Sequence, residues 1–558
     1  MKKTLLLITI MSFVITQIEY AFGQRYIENI FSEVNIETDV VYGNNVSIFP
    51  TLLGLSPATQ DLVMDIYTPE GDDVSNRPAV ILLHTGSFMP AVANGQATGN
   101  KNDRSIVEQC MQFAKKGYVA VAINYRVGWN PTSDDENVRR STLIQAAYRA
   151  LQDTRTAVRF LRQSVDNGNP YGLSCKIAVG GLGTGGYISM AAATLNDYDT
   201  ELTLPKFIDV TQDVDGDGEL DAVPYIIPEY FGDLNGTSVG ILPVLDLDGD
   251  GTPEGTDVTL CVPNHIGYDS SVDMVFNIGG ALPDSSWIDQ GESPMASMHC
   301  YLDEFGPYGI GDIIVPVTNE FVVEAHGSFI VQRRCEYLGN NDVFAGLSME
   351  VTDSWYNNGD GSANSALQVQ ALTDFGQPAT DDQGNPIWDF EGHDVYSGLF
   401  PIVAPRGDEL TSDDCDGCGS GASLCLMPWE QQGSPWDWWN NDVDDPMGYP
   451  QLAINSPTAP DGLTASVAAC AATLDNPDMS EEKGLAFASM IQEFMAPRIH
   501  AALDLGSDAA TCDIKEDKLT KELIDVIDIT GRKINPNSNN ISFHIYNDGS
   551  IEKKYLVK

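Results

Sequence analysis

Between Leu62 and Ile278, short apolar runs alternate with stretches of helical periodicity, and this alternation constrains the chain more than any other feature. Pro78–Leu83 (PAVILL) is a continuous apolar run, as in a strand buried on both faces. From Ile106 to Lys116, apolar residues fall at 106, 107, 110, 113 and 114, which is helical spacing, and Gly117 stops the helix. Tyr118–Asn124 (YVAVAIN) predicts the next strand. Leu143–Val165 predicts a long amphipathic helix with Ile144, Ala147, Leu151, Val158 and Leu161 on one face. Cys175–Val179 reads as a strand, Gly186–Leu195 as a helix and Val272–Ile278 as a further strand. Units in this order predict an α/β fold, a mostly parallel central sheet with helices on both faces. With 42% hydrophobic residues among 558, the chain has material for a sizeable core.

The ends and the interruptions set the domain organisation. Residues 1–23 read as an export signal: basic Met1-Lys2-Lys3, an apolar stretch from Thr4 to Val14, and a small-residue cleavage site at Ala21-Phe22-Gly23. That stretch is too short for a membrane span, and no membrane-spanning segment is expected elsewhere. The main domain is expected over 24–512, broken by an Asp/Gly-rich insertion at about 197–271 and an irregular Trp/Cys-rich region at about 357–450. A small strand-rich module follows at 513–558. The formal charge of −50, from 80 acidic and 30 basic residues, repels phosphate backbones and anionic membranes, so no nucleic-acid partner is expected. Ten cysteines fit an oxidising compartment. Cys415, Cys418 and Cys425 lack a fourth zinc ligand at suitable spacing, and disulfide use is expected there.

In a sheet of this class, ligands collect beyond the carboxyl ends of the strands. One such end is Leu83-His84-Thr85-Gly86-Ser87, whose backbone N–H groups can face a developing oxyanion. A second is Gly180-Gly181-Leu182-Gly183-Thr184-Gly185-Gly186, between strand and helix. It has the setting of a G-x-S-x-G nucleophile elbow with glycine in the serine position. It also matches G-x-G-x-x-G loosely, but a dinucleotide site belongs at the first strand–helix turn. A third is His299 to Asp303 with Pro307-Tyr308, where an Asp after a late strand could orient a histidine.

Together these segments resemble the α/β-hydrolase family, in its carboxylesterase/lipase branch. Asp65-Ile66-Tyr67-Thr68-Pro69 with Arg77-Pro78 and His84-Thr85-Gly86 is similar to the family's D-x-Y-x-P … R-P … H-G-G opening. Gly117-Tyr118-Val119 to Asn124-Tyr125-Arg126 is similar to its G-Y-x-V … N-Y-R strand, and His299 to Pro307 to its H-G-x-x-D-x-x-V-P segment. The resemblance implies an α/β-hydrolase fold, Gly183 at a degenerate nucleophile position and Asp303 as triad acid. It also implies an oxyanion hole built from Thr85, Gly86 and Thr184. Of seven histidines, His393 follows Asp303 in the required chain order and is the candidate base; His326 is read in a helical stretch and His500 in the last helix. Ester hydrolysis is then the ancestral chemistry, and glycine, which has no nucleophile, impairs or abolishes it. The alternative is a non-catalytic extracellular or cell-surface binding protein on the same scaffold, taking a small ester or carbohydrate-like ligand. Some carboxylesterase-like adhesion proteins carry the same glycine.

Two loops have calcium-ligand spacing. Asp246, Asp248, Asp250, Glu254 and Asp257 stand at positions 1, 3, 5, 9 and 12 with Gly251 at position 6. Asp213, Asp215, Asp217 and Asp221 repeat the pattern, with Pro224 in place of the twelfth-position acid. A structural Ca2+ is expected, ordering an insertion poor in apolar residues. Trp429, Trp436, Trp438 and Trp439 cluster in a Pro/Gly-rich stretch, and packing is the expected role. The tail, with Val526 to Lys533 and Ile545 to Ser550 before Lys553-Lys554-Tyr555-Leu556-Val557, resembles the sorting domain of the type IX secretion system of Bacteroidota, without its Y-P-N-P start or G-x-Y turn. The resemblance implies type IX machinery as a partner and a secreted or cell-surface location.

Overall fold

The computed structural model describes residues 25–91, 93–213, 217–243, 256–300, 303, 305–315, 320–351, 369–370, 373, 379–380, 388–389, 396–402, 434–456, 459, 462–476, 479–506, 523–528, 542–546 and 551–554. The strands are β1 (Val34–Ser47), β2 (Ala58–Pro69), β3 (Arg77–Leu83), β4 (Val119–Ile123), β5 (Leu173–Leu182), β6 (Ile208–Gln212), β7 (Asp221–Pro224), β8 (Gly240–Leu242), β9 (Val258–Cys261), β10 (Met274–Ile278), β11 (Met295–Cys300), β12 (Ile310–Ile314), β13 (Phe321–His326), β14 (Val369–Gln370), β15 (Trp388–Asp389) and β16 (Leu399–Ile402), then β17 (Leu523–Asp528), β18 (Ser542–Tyr546) and β19 (Ile551–Lys554) in the tail. The main helices are α1 (Arg104–Lys116), α2 (Glu136–Asp166), α3 (Thr184–Thr194), α4 (Ser328–Leu338), α5 (Tyr449–Ile454), α6 (Ala465–Asp475) and α7 (Glu481–Ala502).

Eight strands form the central sheet in the order β1-β2-β4-β3-β5-β10-β11-β16. β1, β2 and β4 pair antiparallel, and every pair from β4 onward is parallel. This is the α/β class the sequence predicts. β3 shows why the sheet is covered twice. Its residues alternate between two cores, Ala79, Ile81 and Leu83 packing with α2 and α3, Val80 and Leu82 with α1 and α7. A parallel strand buried on both faces needs apolar side chains at every position, which RPAVILL supplies after its first residue. α1 ends at Gly117, whose left-handed φ of 105° lets its N–H cap the helix on the Ala114 carbonyl at 2.9 Å.

The insertion between α3 and β10 carries two antiparallel hairpins, β6–β7 and β8–β9. Three expectations change. His326 ends strand β13 instead of lying in a helix. Only Gly327 separates its run FVVEAH from the helical SFIVQRRCEYL, so the change of period is hard to see in the sequence. The region read as irregular holds β16, the eighth strand of the sheet. The tail forms three antiparallel strands, where two β-like runs were expected.

Of the cysteines, Cys110, Cys261, Cys300 and Cys335 are free and buried. Cys415, Cys418, Cys425 and Trp429 lie outside the described residues, as does the export signal. Trp436 and Trp438 are packed, Trp438 against Gly484 of α7. No helix among the described residues is long and apolar enough to cross a membrane.

Candidate active site

β5 runs into α3 through a single residue, Gly183, with φ 52° and ψ −118°. An L side chain there costs about 1–3 kcal/mol, and glycine avoids most of that cost. The turn is held by Gly183 N–H donating to the Ile278 carbonyl at 2.8 Å and Gly186 N–H donating to the Gly183 carbonyl at 2.9 Å. Close approach requires glycine on both sides of it. A Cβ on Gly181 would run into the Gly185 backbone, and one on Gly185 into the Leu83 and His84 carbonyls.

The space a side chain on Gly183 would take is filled. A Cβ built there lies 3.0 Å from the Cβ of Thr85 and closer still to its hydroxyl. Thr85 belongs to the loop after β3, where Gly86 (φ 117°), Ser87 (φ 54°) and Phe88 (φ 54°) are all left-handed. Two consecutive non-glycine residues in that region are strained, and the neighbours hold them. Trp129 Nε1 donates to the Ser87 carbonyl at 2.8 Å, and Gly128 N–H to the Phe88 carbonyl at 2.7 Å. Thr184 opens α3, so its N–H is one of the first-turn donors with no acceptor inside the helix. Its hydroxyl is 3.3 Å from that of Tyr125, which donates to the His84 carbonyl at 2.8 Å. The His84 ring stacks on Tyr125 at 4.2 Å, and burial lowers its pKa to about 4, opposed by its bond to the Thr85 carbonyl.

Asp303 follows β11. Its Oδ1 accepts from Phe305 N–H at 2.8 Å and Gly306 N–H at 3.1 Å, and its Oδ2 is 3.4 Å from His299 Nε2. His299 is engaged elsewhere. Asn277 Nδ2 donates to Ser328 Oγ at 2.8 Å, and that oxygen lies 2.7 Å from His299 Nδ1. Nε2 has acceptors on both sides, so it carries a proton, and it faces the Gly306 carbonyl at 3.0 Å.

Thr85, Gly183, Thr184 and Asp303 all border one cavity of about 310 Å³. Its lining includes apolar side chains from α2 (Leu143, Ile144 and Ala147) and α3 (Ile188), with Phe207 and Trp287. Ser434, Asp437 and Trp439 also line it. Asp437 accepts from Ser105 Oγ at 2.5 Å, and burial raises its pKa to about 6, against the lowering effect of its hydrogen bonds to Ser105 and Ser434. Among the described residues, no histidine, lysine or arginine lines the cavity. Neither the threonine plug nor Asp437 was found from sequence. The threonine in the second position of His84-Thr85-Gly86, where the family pattern has glycine, was the available signal for the plug.

His393 lies outside the described residues and precedes β16 in the chain. After the carboxyl end of β16 at Ile402, the sequence offers only His500, in the last turn of α7, and His544, in β18. Of the acidic loops, Asp213, Asp217 and Asp221 lie on the β6–β7 hairpin, and Asp257 immediately precedes β9. Asp213 Oδ2 accepts from Gly218 N–H at 3.1 Å, and Asp217 Oδ1 from Glu219 N–H at 2.8 Å. Asp215, Asp246, Asp248, Asp250 and Glu254 lie outside the described residues.

The parallel sheet, with its glycine turn after the central strand and a carboxylate after a late one, defines an α/β-hydrolase fold. A family model described as BD-FAE matches residues 64–218, from β2 through the elbow into the insertion. Among solved structures, the chain is similar to Thermogutta terrifontis esterase 2 phosphorylated by paraoxon, at 16% identity over 49% of this chain and 73% of that one, TM-score 0.27. It is also similar to the propionate-bound form, at 15% identity over 49% and 74%, TM-score 0.26, and to the apo form, at 16% over 50% and 76%, TM-score 0.26. No curated protein matches the chain.

Proposed function

We propose that this protein is an esterase-like α/β-hydrolase scaffold that binds a small lipophilic molecule in its cavity without hydrolysing it. The observation that carries this reading is the pairing of Gly183 with Thr85. The elbow keeps its backbone turn but offers no nucleophile, and a threonine side chain takes up the room a serine would need. Thr85 does not inherit the chemistry, because no imidazole among the described residues lines the cavity to take its proton. A hydrolytic reading draws on the BD-FAE match over residues 64–218. That segment contains His84, which is stacked, buried and held at a low pKa.

Export by the N-terminal signal, outer-membrane passage through the type IX tail, and Ca2+ bound in the two acidic loops complete the proposal. Each draws on its sequence motif. The test of function is paired. Purified protein is assayed for p-nitrophenyl butyrate hydrolysis, and titrated with decanol by calorimetry. Saturable binding with turnover no faster than buffer supports the reading; turnover lost on Thr85→Val would replace it with threonine-based hydrolysis.

A further inference from the structure

The ionisable lining of the cavity is one-sided. Among the described residues its charged groups are two carboxylates, Asp303 and Asp437, with no cation beside them in the wall. Asp303 has 4% of its side chain exposed. Its Oδ1 is fixed by two backbone N–H groups, and its Oδ2 meets only His299 Nε2, at 3.4 Å, among the described residues. That His299 proton faces the Gly306 carbonyl at the shorter distance of 3.0 Å. Oδ2 is therefore the oxygen left for a donor that enters the cavity. In a hydrolase, an acid at this place would serve the triad histidine; here that histidine is missing from the cavity wall among the described residues.

The neighbouring side chains narrow the choice of cation. Tyr187, on α3, lines the same cavity, and its hydroxyl is buried without a hydrogen-bond partner among the described residues. Thr85 lines the same cavity, its hydroxyl beside Gly183. Asp303 Oδ2, Tyr187 Oη and Thr85 Oγ1 are oxygen acceptors, suited to a group carrying several N–H donors. Phe88, Trp129 and Trp439 present aromatic rings to the cavity, and such rings attract cations. Most of the wall's surface is apolar, which suits an alkyl body better than a metal ion that needs six or more converging oxygens.

We propose that the ligand is a lipophilic primary amine, its ammonium group paired with Asp303 and hydrogen-bonded to Tyr187, its apolar body lying between α2 and α3. The proposal rests on the binding reading above and specifies the ligand for the same cavity. It also explains why the site would discriminate against carboxylates, the acid products of ester cleavage, which meet like charge at Asp303.

The test is calorimetric titration of the full mature chain with decylammonium, decanol and decanoate, which share one alkyl chain. Decylammonium should bind about tenfold or more tightly than decanol, and decanoate most weakly, because a buried charge-assisted hydrogen bond exceeds a neutral one. Asp303→Asn keeps an oxygen for the Phe305 and Gly306 N–H groups, and should bring decylammonium to within about threefold of decanol, both measured on the variant. Tyr187→Phe should weaken decylammonium more than decanol. Attraction to the acidic surface is separated by salt, since exposed charges are screened at about 0.5 M while a buried pair is not. Equal binding of decanol and decylammonium, stronger binding of decanoate, or a preference that survives Asp303→Asn would overturn the amine assignment while leaving the binding function standing. If none of the three binds, the binding function fails as well.

Discussion

The guanidinium of Arg126 and the carboxylate of Asp153 meet at 2.8 Å with neither side chain exposed. Asp153 also accepts the Arg126 backbone N–H at 2.8 Å, so one carboxylate fixes both the side chain and the turn that follows β4. Arg149 lies fully buried in the same region and reaches only the Gly128 carbonyl, at 2.8 Å, among the described residues. Burial first, and Arg126 second, hold its pKa down to about 9. Removing Asp153 therefore strands two buried cations. Asp153→Ala should lower unfolding stability by about 3–5 kcal/mol, the usual cost of breaking a buried pair from one side. Urea unfolding of the variant measures this directly, and a loss below about 1 kcal/mol would mean the cluster is hydrated.

Gly183 and Thr85 should behave as a coupled pair. Gly183→Ser meets both the left-handed backbone and the Thr85 side chain, and should destabilise by about 2 kcal/mol or more. Thr85→Gly vacates the space, so the double variant should recover part of the loss, with a coupling of about 1 kcal/mol or more in a double-mutant cycle. On the proposed binding function neither variant should gain esterase turnover above buffer, since no histidine among the described residues lines the cavity to take the serine proton. Turnover in the double variant would reveal a histidine reaching the cavity from outside the described residues.

Much of the fold was legible because its determinants are local. Seven residues of β3 state their own burial, and the glycines at 181, 183 and 185 mark a tight strand-to-helix turn by their spacing alone. What stayed hidden depends on distant parts of the chain meeting. Asp437 reaches the cavity wall beside Ser105, 332 positions away, and the tryptophans that flank it mark a packed stretch without telling what the carboxyl meets. β16 is only four residues long and contains Pro401, too short for a period to show. The threonine plug is a relation between two loops, so either residue alone reads as a small change in a motif.

Asp437 makes a pH signature that can be isolated. Its carboxyl titrates near pH 6 in the folded protein, above the usual carboxylate value of 3.8, because burial disfavours the charged form. Between those values the folded state holds a proton that the unfolded chain releases, so this group's contribution is present at low pH and is lost as pH rises through about 6. His84 acts in the opposite sense. Its pKa is lowered from 6.5 to about 4, so its contribution is lost as pH falls through that interval. Melting of wild type and Asp437→Asn from pH 7.5 to 5 separates them. The variant should lose more stability on acidification than wild type, and parallel curves would place Asp437 in contact with water.

The acidic hairpins give a test independent of the cavity. On the β6–β7 hairpin, Asp213 and Asp217 accept hydrogen bonds from the backbone of their own loop. If Ca2+ orders these loops, binding to the folded state alone raises the melting temperature by mass action. Addition of millimolar Ca2+ to chelator-stripped protein should raise the melting temperature by several degrees, and Mg2+ should do so less, because its small octahedral shell fits a flexible loop poorly. Asp246→Ala should remove most of the rise and Asp213→Ala a smaller share, since Pro224 leaves the second loop one acid short. A melting temperature indifferent to Ca2+, or a rise that persists in the Asp213→Ala/Asp246→Ala double variant, would make both loops solvated turns. Decanol affinity measured across the same series should stay constant, because no residue of either acidic loop lines the cavity among the described residues.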